Sequence, residues 1–118
     1  MTRLQDYTGA YIKETLEELL DEVVSSITSK FPEAEVILFG SYARGDYTLD
    51  SDLDFCVLVP EFTDHRLEMV TDIRQTLRRG FPLPKDILLY TKSDFAEQSQ
   101  YPSRLEHTIK EEGRLLNA

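Results

Sequence analysis

Two aspartates separated by one residue, Asp52 and Asp54, stand at the start of an apolar segment and are the clearest candidates for chemistry in this chain. If the segment is a strand, alternate side chains point to one face, so the two carboxylates project together, roughly 6–7 Å apart along the backbone. Neighbouring anions repel each other unless a cation lies between them, and Mg²⁺ prefers oxygen ligands. The pair therefore predicts a magnesium site.

A Gly-Ser turn precedes the two aspartates and suits the binding of phosphate. Gly40 lets the backbone approach a phosphate closely, the Ser41 hydroxyl can donate a hydrogen bond, and a helix start after it presents free N–H groups. The spacing from Gly40 to Gly45 matches the beginning of a P-loop, but Asp46 and Tyr47 follow where that motif requires Lys and Ser or Thr. The turn predicts a triphosphate ligand and excludes a Walker-type NTPase.

Together these residues resemble the nucleotidyltransferase signature of the DNA polymerase β-like superfamily, in its minimal, stand-alone form. Members carry Gly-Ser, a spacer, Asp-x-Asp and a third carboxylate on a later strand. The matching residues here are Gly40, Ser41, Arg44, Gly45, Ser51, Asp52, Asp54 and Asp86. The resemblance covers most of the chain, from the first helix to Glu112-Gly113, and the ordered combination is more specific than Asp-x-Asp alone.

The resemblance implies a reaction and a role for each matching residue. Asp52 and Asp54 would bind the Mg²⁺ that holds the phosphates of an NTP, with ATP as the expected nucleotide. Asp86 would complete a second metal position and help to deprotonate the acceptor hydroxyl. The Gly40-Ser41 turn would hold the β- and γ-phosphates, and Arg44 would add positive charge nearby. Attack at the α-phosphorus would then release pyrophosphate.

So small a catalytic domain lacks the additional domain that usually binds an acceptor. We therefore expect the acceptor site to come from another copy of the chain, from a partner chain or from the acceptor's own bulk. Minimal members that resemble this chain are often encoded beside a small helical HEPN-domain protein, and they act as antitoxins that transfer AMP to a tyrosine of that toxin. The resemblance therefore implies a HEPN partner. Two alternatives stay open: an antitoxin that neutralises its partner by binding alone, and a catalytic subunit that modifies a small molecule such as an aminoglycoside. The base preference and a homo-oligomeric state are not determined by the sequence.

Length and charge restrict the class of protein. The chain has 118 residues, enough for a single minimal nucleotidyltransferase domain over residues 1–118. With 13 Lys and Arg against 22 Asp and Glu, its formal net charge is −9, which disfavours non-specific binding to nucleic acid or to an anionic membrane. Its longest apolar run, residues 55–59, is too short to span a membrane, and residues 1–20 contain no signal-peptide pattern, so we expect a cytoplasmic protein. The lone Cys56 lies in that run and predicts a buried thiol.

The pattern of apolar residues predicts an α/β (α+β) fold with a small mixed sheet of three or four strands flanked by helices. The resemblance implies the palm-like nucleotidyltransferase fold of polymerase β. The strands are predicted over Glu35–Phe39, Leu53–Val59 and residues 86–91, and one long amphipathic helix over residues 8–31. A short helix should follow the turn at residues 40–45, and residues 46–51 should form a loop.

Three further helices are predicted from capping residues. The first should begin at an N-cap Thr63 and end before Gly80, the second should be capped by Ser93, and the third should start at Pro102. Their spacing places four residues of the first helix inward, namely Leu67, Val70, Ile73 and Leu77. It places three residues on one face of the third helix, namely Leu105, Ile109 and Leu116.

Overall fold

The structure is a computed structural model that describes residues 4–6, 8–77 and 79–117. Its elements in chain order are α1 (Leu16–Lys30), β1 (Glu35–Phe39), α2 (Ser41–Arg44), β2 (Leu53–Val59), α3 (Arg66–Thr76), β3 (Lys85–Thr91), α4 (Lys92–Gln98), α5 (Leu105–Glu112) and β4 (Arg114–Leu115). The predicted bounds of β1 and β2 are confirmed, and β3 begins one residue earlier than predicted.

The four strands form one mixed sheet in the order β3-β2-β1-β4. β2 runs parallel to β3, whereas β1 is antiparallel to both β2 and β4. The α/β class and the small mixed sheet are therefore confirmed. The two-residue strand β4 has no apolar alternation of its own, and it pairs with β1 at Ile37 and Leu38. Only this long-range pairing makes it a strand.

The central strand β2 is buried on both faces, which explains its continuous apolar sequence. One face of β2 belongs to the main core with α1 and α3, and the other belongs to a smaller core with α4 and α5. The main core takes Leu53, Phe55, Val57 and Val59, and the smaller core takes Cys56 and Leu58. By alternation, Asp54 shares the face of Cys56. None of the helices described is long and apolar enough to cross a membrane.

The first helix begins at Leu16, so the prediction of a helix from residue 8 was wrong. Its N-cap is Thr15, whose hydroxyl accepts the N–H of Glu18 and donates to the Glu18 carboxylate. This Thr-x-x-Glu capping box fixes the helix start. Before it, Gly9 has φ +85° and Gln5 bridges Tyr11, so the chain turns back instead of continuing as a helix.

The predicted N-caps of helices α3 and α4 were also wrong. α3 has His65 as its N-cap instead of Thr63, and α4 is capped by Thr91 instead of Ser93, because the Thr91 hydroxyl accepts the N–H of Asp94. In α3, Ile73 and Leu77 are buried as predicted and Val70 is half-buried. Leu67 is 77% exposed, because the face packed inward carries Met69 and Ile73 at spacing i, i+4.

The last helix starts at Leu105 instead of Pro102. Residues 101–104 form a turn in which the Arg104 N–H donates to the Tyr101 carbonyl over 3.0 Å. Ile109 is buried, whereas Leu105 is half-exposed. Leu116 lies beyond the helix and packs against the main core, with its N–H donating to the Val36 carbonyl over 2.8 Å.

Asn117 closes the edge of the sheet beside β4. Its Oδ1 accepts the Val36 N–H over 2.8 Å, and its Nδ2 donates to the Ala34 carbonyl over 2.9 Å. Because Asn117→Ala leaves two half-buried backbone groups without these partners, we expect it to lower the free energy of unfolding by about 1–3 kcal/mol. Urea denaturation measures this change. The control Gln100→Ala removes an exposed amide and should change stability by less than about 0.5 kcal/mol; an equal loss in both variants would contradict the assigned role of Asn117.

Cys56 is fully buried, as predicted, and its environment makes the thiol unreactive. Burial, reinforced by the negative charge of Glu106, raises the pKa of the Cys56 thiol to about 12. Since only the thiolate reacts, we expect iodoacetamide at pH 8 to alkylate the native protein at least roughly 100-fold more slowly than the urea-unfolded chain. Mass spectrometry over a time course measures both rates. Rapid alkylation of the native protein would show that the smaller core opens readily.

Candidate active site

β2 and β3 bring the predicted carboxylates to one end of the sheet. Asp54 in β2 and Asp86 in β3 are register partners on neighbouring parallel strands, and Asp52 comes immediately before β2. Side chains alternate along a strand, so Asp52 and Asp54 share a face. In β3 the side chain of Ile87 is buried on one face, so Asp86 lies on the other. The carboxylates that the sequence analysis selected are therefore neighbours in space, although 32 residues separate Asp54 from Asp86 in the chain.

The Gly40 turn lies directly beside Asp54. Phe39, the last residue of β1, pairs with Asp54, so the chain turns at Gly40 against the start of β2. Gly40 has φ +75° and ψ −157°, a conformation that essentially only glycine adopts. A Cβ built on Gly40 would also clash with Oδ2 of Asp54. The position therefore requires glycine both for its backbone and for the space that the carboxylate occupies.

The short helix α2 follows the turn and ends at Gly45, which has φ +87°. The carbonyl of Gly40 accepts the N–H groups of Ala43 and Arg44, whereas the first N–H groups of a helix have no partner within it. Ser41 is half-buried, and its hydroxyl has no hydrogen bond to any part of the chain that the structure describes. The Gly-Ser turn thus offers donors beside the Asp54 carboxylate.

The electrostatics of Asp54 show that the carboxylates interact. Half-burial raises the pKa of Asp54, and the negative charges of Asp86 and Asp52 raise it further, while Arg44 opposes them. Asp52 and Asp86 themselves are exposed. A cation held between these side chains would relieve both the repulsion and the cost of burying the Asp54 charge.

The donor set fits a hard divalent cation, since carboxylate oxygens are the ligands that Mg²⁺ prefers. Among the residues described, however, no three His, Cys, Asp or Glu side chains are arranged so that they could hold a metal ion by themselves. Asp52, Asp54 and Asp86 are thus brought to one sheet end but are not converged into a three-ligand cluster. Water and substrate phosphate usually supply further ligands to Mg²⁺.

Two arginines approach the carboxylates, and sequence reasoning named only one of them. Arg44 is held by Asp46, with Nε 3.2 Å from Oδ2, and by Glu112 of α5, with Nη1 3.4 Å from Oε2. Arg74, near the end of α3, places Nη2 3.8 Å from Oδ1 of Asp86. No local pattern marks Arg74 or Glu112, because both reach the site through the packing of helices against the sheet.

A cavity of about 510 Å³ lies elsewhere, at the opposite end of β2, and none of the candidate site residues lines it. At the candidate site, Asp52 and Asp86 are exposed. Exposed carboxylates are accessible to a large acceptor as well as to a small one.

This fold and site define a class of protein: a mixed sheet that carries adjacent strand carboxylates beside a Gly-Ser turn, as in nucleotidyl-transferring domains. Comparison with known families agrees, because the model of the nucleotidyltransferase domain family matches residues 20–115. The chain therefore belongs to the nucleotidyltransferase domain family.

Two relatives are proteins of Methanocaldococcus jannaschii named as candidate protein adenylyltransferases. One is 37% identical over 59 residues, which cover 48% of this chain and 59% of the relative. The other is 44% identical over 50 residues, which cover 42% of this chain and 48% of the relative. The chain thus spans about half the length of the curated relatives that it matches.

Two solved structures share the fold. A candidate nucleotidyltransferase from Sulfolobus solfataricus superposes with a TM-score of 0.57 at 22% identity, covering 85% of this chain and 78% of that one. A toxin–antitoxin complex with AMP-PNP superposes with a TM-score of 0.56 at 19% identity, covering 84% of this chain and 73% of that one. At these identities the similarity establishes the fold alone.

Proposed function

We propose that this chain is a Mg²⁺-dependent nucleotidyltransferase that moves AMP from ATP to a tyrosine hydroxyl of a partner HEPN protein and thereby acts as an antitoxin in the cytoplasm. Residues 1–118 serve as a minimal nucleotidyltransferase domain. The single observation that carries the proposal is the placement of Asp54 and Asp86 side by side on β2 and β3, with the Gly40 turn against the Asp54 carboxylate. A nucleotide phosphate needs both features, a site for a cation and hydrogen-bond donors.

The comparisons support the finer parts of this proposal. Both relatives from M. jannaschii carry the name of an enzyme that adenylylates proteins, which favours AMP as the transferred group and a protein as the acceptor. The structural match to a toxin–antitoxin complex with AMP-PNP favours an adenine nucleotide and a protein partner. The exposure of Asp52 and Asp86 is compatible with an acceptor that brings its own bulk.

Each residue of the site has a role in the proposed reaction. The Ser41 hydroxyl and the amides of the Gly40 turn donate to the β- and γ-phosphates, so that they stabilise the charge that develops on the leaving pyrophosphate. Asp52 and Asp54 would hold Mg²⁺, which would supply positive charge to the triphosphate. Asp86 accepts the proton of the acceptor hydroxyl. The hydroxyl oxygen forms a bond to the α-phosphorus, the bond from that phosphorus to the bridging oxygen breaks, and pyrophosphate leaves.

Arg44 has a smaller role in this scheme. In the structure its guanidinium contacts Asp46 and Glu112, so a nucleotide phosphate must compete with two carboxylates for it. Arg44 therefore contributes less to nucleotide binding than the residues of the Gly40 turn. It also lowers the pKa of Asp54, which favours the ionised carboxylate.

Intact-mass spectrometry tests the proposal. The chain is incubated with a HEPN protein encoded beside it, with Mg²⁺ and with each of the four NTPs in turn. We expect the partner to gain the mass of one or more AMP groups with ATP only, and we expect tandem spectra to place them on tyrosine. The double variant Asp52→Asn/Asp54→Asn is the matched control and should yield no adduct.

Other outcomes point to other functions. A stable complex without an adduct, combined with a double variant that still neutralises the partner, would indicate an antitoxin that acts by binding alone. Transfer of AMP to an aminoglycoside, and not to the protein, would indicate a small-molecule nucleotidyltransferase. Either result would overturn the proposed acceptor.

A further inference from the structure

The cavity at the far end of β2 has a built floor. It opens between the loop that joins α1 to β1 and the loop that joins β2 to α3. Ala34, Val59 and Met69 are buried beneath it, and the half-buried Phe31 forms one wall. Its volume of about 510 Å³ lies within the range of roughly 300–1,000 Å³ that is typical of ligand pockets. From Val59 to Asp54 along β2 is roughly 15–20 Å, so the cavity is separate from the candidate active site.

The rim of the cavity is strongly negative. Its four carboxylates are Glu33, Glu61, Asp64 and Asp72, and Lys30 is the one cation among the lining residues. Among the described residues, the ion pairs are made by Asp46, Glu112, Asp86, Glu35 and Glu17, and none of these lines the cavity. The crowding of charge extends to Glu68 on α3, where the hydrogen bond and charge of Asp64 raise the pKa of the Glu68 carboxyl.

We propose that this cavity and its rim form a docking site for a basic segment of a partner protein, with a lysine or arginine side chain inserted. Such a side chain lays its apolar stem between the wall of Phe31 and the floor of Met69 and places its charged head among the rim carboxylates. A nucleotide or another anion is repelled by the same rim. The apolar floor accounts for the stem, and the excess of four carboxylates over one lysine accounts for the charge.

Helix α3 links this docking site to the active site. Met69 and Asp72 of this helix line the cavity, and Arg74, two residues after Asp72, contacts Asp86. Leu67 projects from the first turn of α3 and is 77% exposed, which offers an apolar contact to a segment that lies along the helix. The inference rests on the proposed function in one respect: the docked partner is the protein acceptor, which is held at the cavity and modified at the candidate active site.

Fluorescence anisotropy with a labelled 14-residue helical peptide of leucine and lysine tests the docking site directly. The charge-reversal variant Glu33→Lys/Glu61→Lys alters exposed rim residues, and Glu97→Lys/Glu111→Lys makes the same change of charge at exposed positions of α4 and α5. We expect the rim variant to weaken peptide binding at least ten-fold and the control variant less than three-fold. As single substitutions, Leu67→Ser should weaken peptide binding more than Leu105→Ser, which also removes an exposed leucine and serves as its control. Thermal unfolding of each variant verifies that it is folded.

Three results would overturn the docking site. Equal losses in the rim and control variants would show attraction to the overall charge only. Equal binding of a peptide in which every leucine is replaced by serine would show that the apolar floor is not used. Spermidine that binds the cavity more tightly than the peptide would indicate a site for a small organic cation.

Binding of a fluorescent ATP analogue is measured in parallel and should be unchanged in the rim variant. This second measurement distinguishes failure of the docking site from failure of the proposed transferase.

Discussion

Replacement of Asp54 by asparagine is expected to lower nucleotidyl transfer by roughly 10³-fold or more, because the change removes a charged ligand where the triphosphate must be held. The side chain keeps its shape, so the Gly40 turn that lies against it is not displaced. Single-turnover transfer of AMP to the partner, measured at saturating Mg²⁺, gives the loss. Arg44→Ala should cost far less, since its guanidinium is shared with Asp46 and Glu112. Substantial turnover by the Asp54 variant would contradict the proposed role of this carboxylate.

The same substitution should stabilise the protein in the absence of metal. The pKa of Asp54 is raised in the folded state, by burial first and then by Asp86 and Asp52, so its ionised form opposes folding at neutral pH. Asparagine removes that cost, and we expect a higher free energy of unfolding at pH 7. Below the unfolded pKa of about 4 the aspartate is protonated in both states, so the difference should disappear there. Urea denaturation at pH 7 and near pH 3.5 measures both values, with the exposed Asp50→Asn as control. A variant that is less stable at pH 7 would contradict the conclusion that the ionised Asp54 carboxylate opposes folding.

The second large effect is expected from Gly40→Ala. Alanine would have to adopt φ +75° with ψ −157°, and its Cβ would clash with the Asp54 carboxylate, so both the turn and the carboxylate must shift. We expect the free energy of unfolding to fall by about 1–3 kcal/mol and transfer to fall by roughly 10²-fold. Denaturation and the single-turnover assay measure the two effects on the same preparation.

Gly45→Ala is the matched control for this prediction. Gly45 also has a positive φ, of +87°, but a Cβ there would meet no atom within 4 Å. Its cost is therefore that of the left-handed conformation alone, about 1–2 kcal/mol of stability, and transfer should be nearly unchanged in the folded variant. If both alanine variants lost activity equally, backbone strain would explain the loss, and the close contact between Gly40 and Asp54 would have no part in it.

Local patterns in the sequence were enough to predict the parts of the fold that depend on neighbouring residues. The apolar runs of β1 and β2 predicted their bounds. β2 is buried on both faces and is therefore apolar almost throughout, whereas β1 alternates half-buried and buried side chains. Thr15-x-x-Glu18 is a local signal for the start of α1, whereas the apolar periodicity of residues 8–31 extends beyond the helix and does not mark its first residue.

The candidate site was selected from the sequence for a similar reason. The residue types and their order, from Gly40 to Asp54, favour a phosphate turn beside a carboxylate pair, because the ordered combination is more specific than either motif alone. Asp86 can lie beside Asp54 only if its strand is a neighbour of β2. β3 is that neighbour, and its parallel register pairs Asp86 with Asp54.

The tertiary structure alone decided the features that join distant parts of the chain. β4 exists because β1 offers it a partner, and Leu67 is exposed because α3 packs through Met69 and Ile73 instead. The contact of Arg44 with Glu112 spans 68 residues, and the cavity beyond Val59 forms where two loops meet. Periodicity and capping describe the free energy of one segment with its near neighbours. Which segments then meet is set by the packing of the whole core, so the surroundings of the site, unlike its central residues, could not be derived from the sequence.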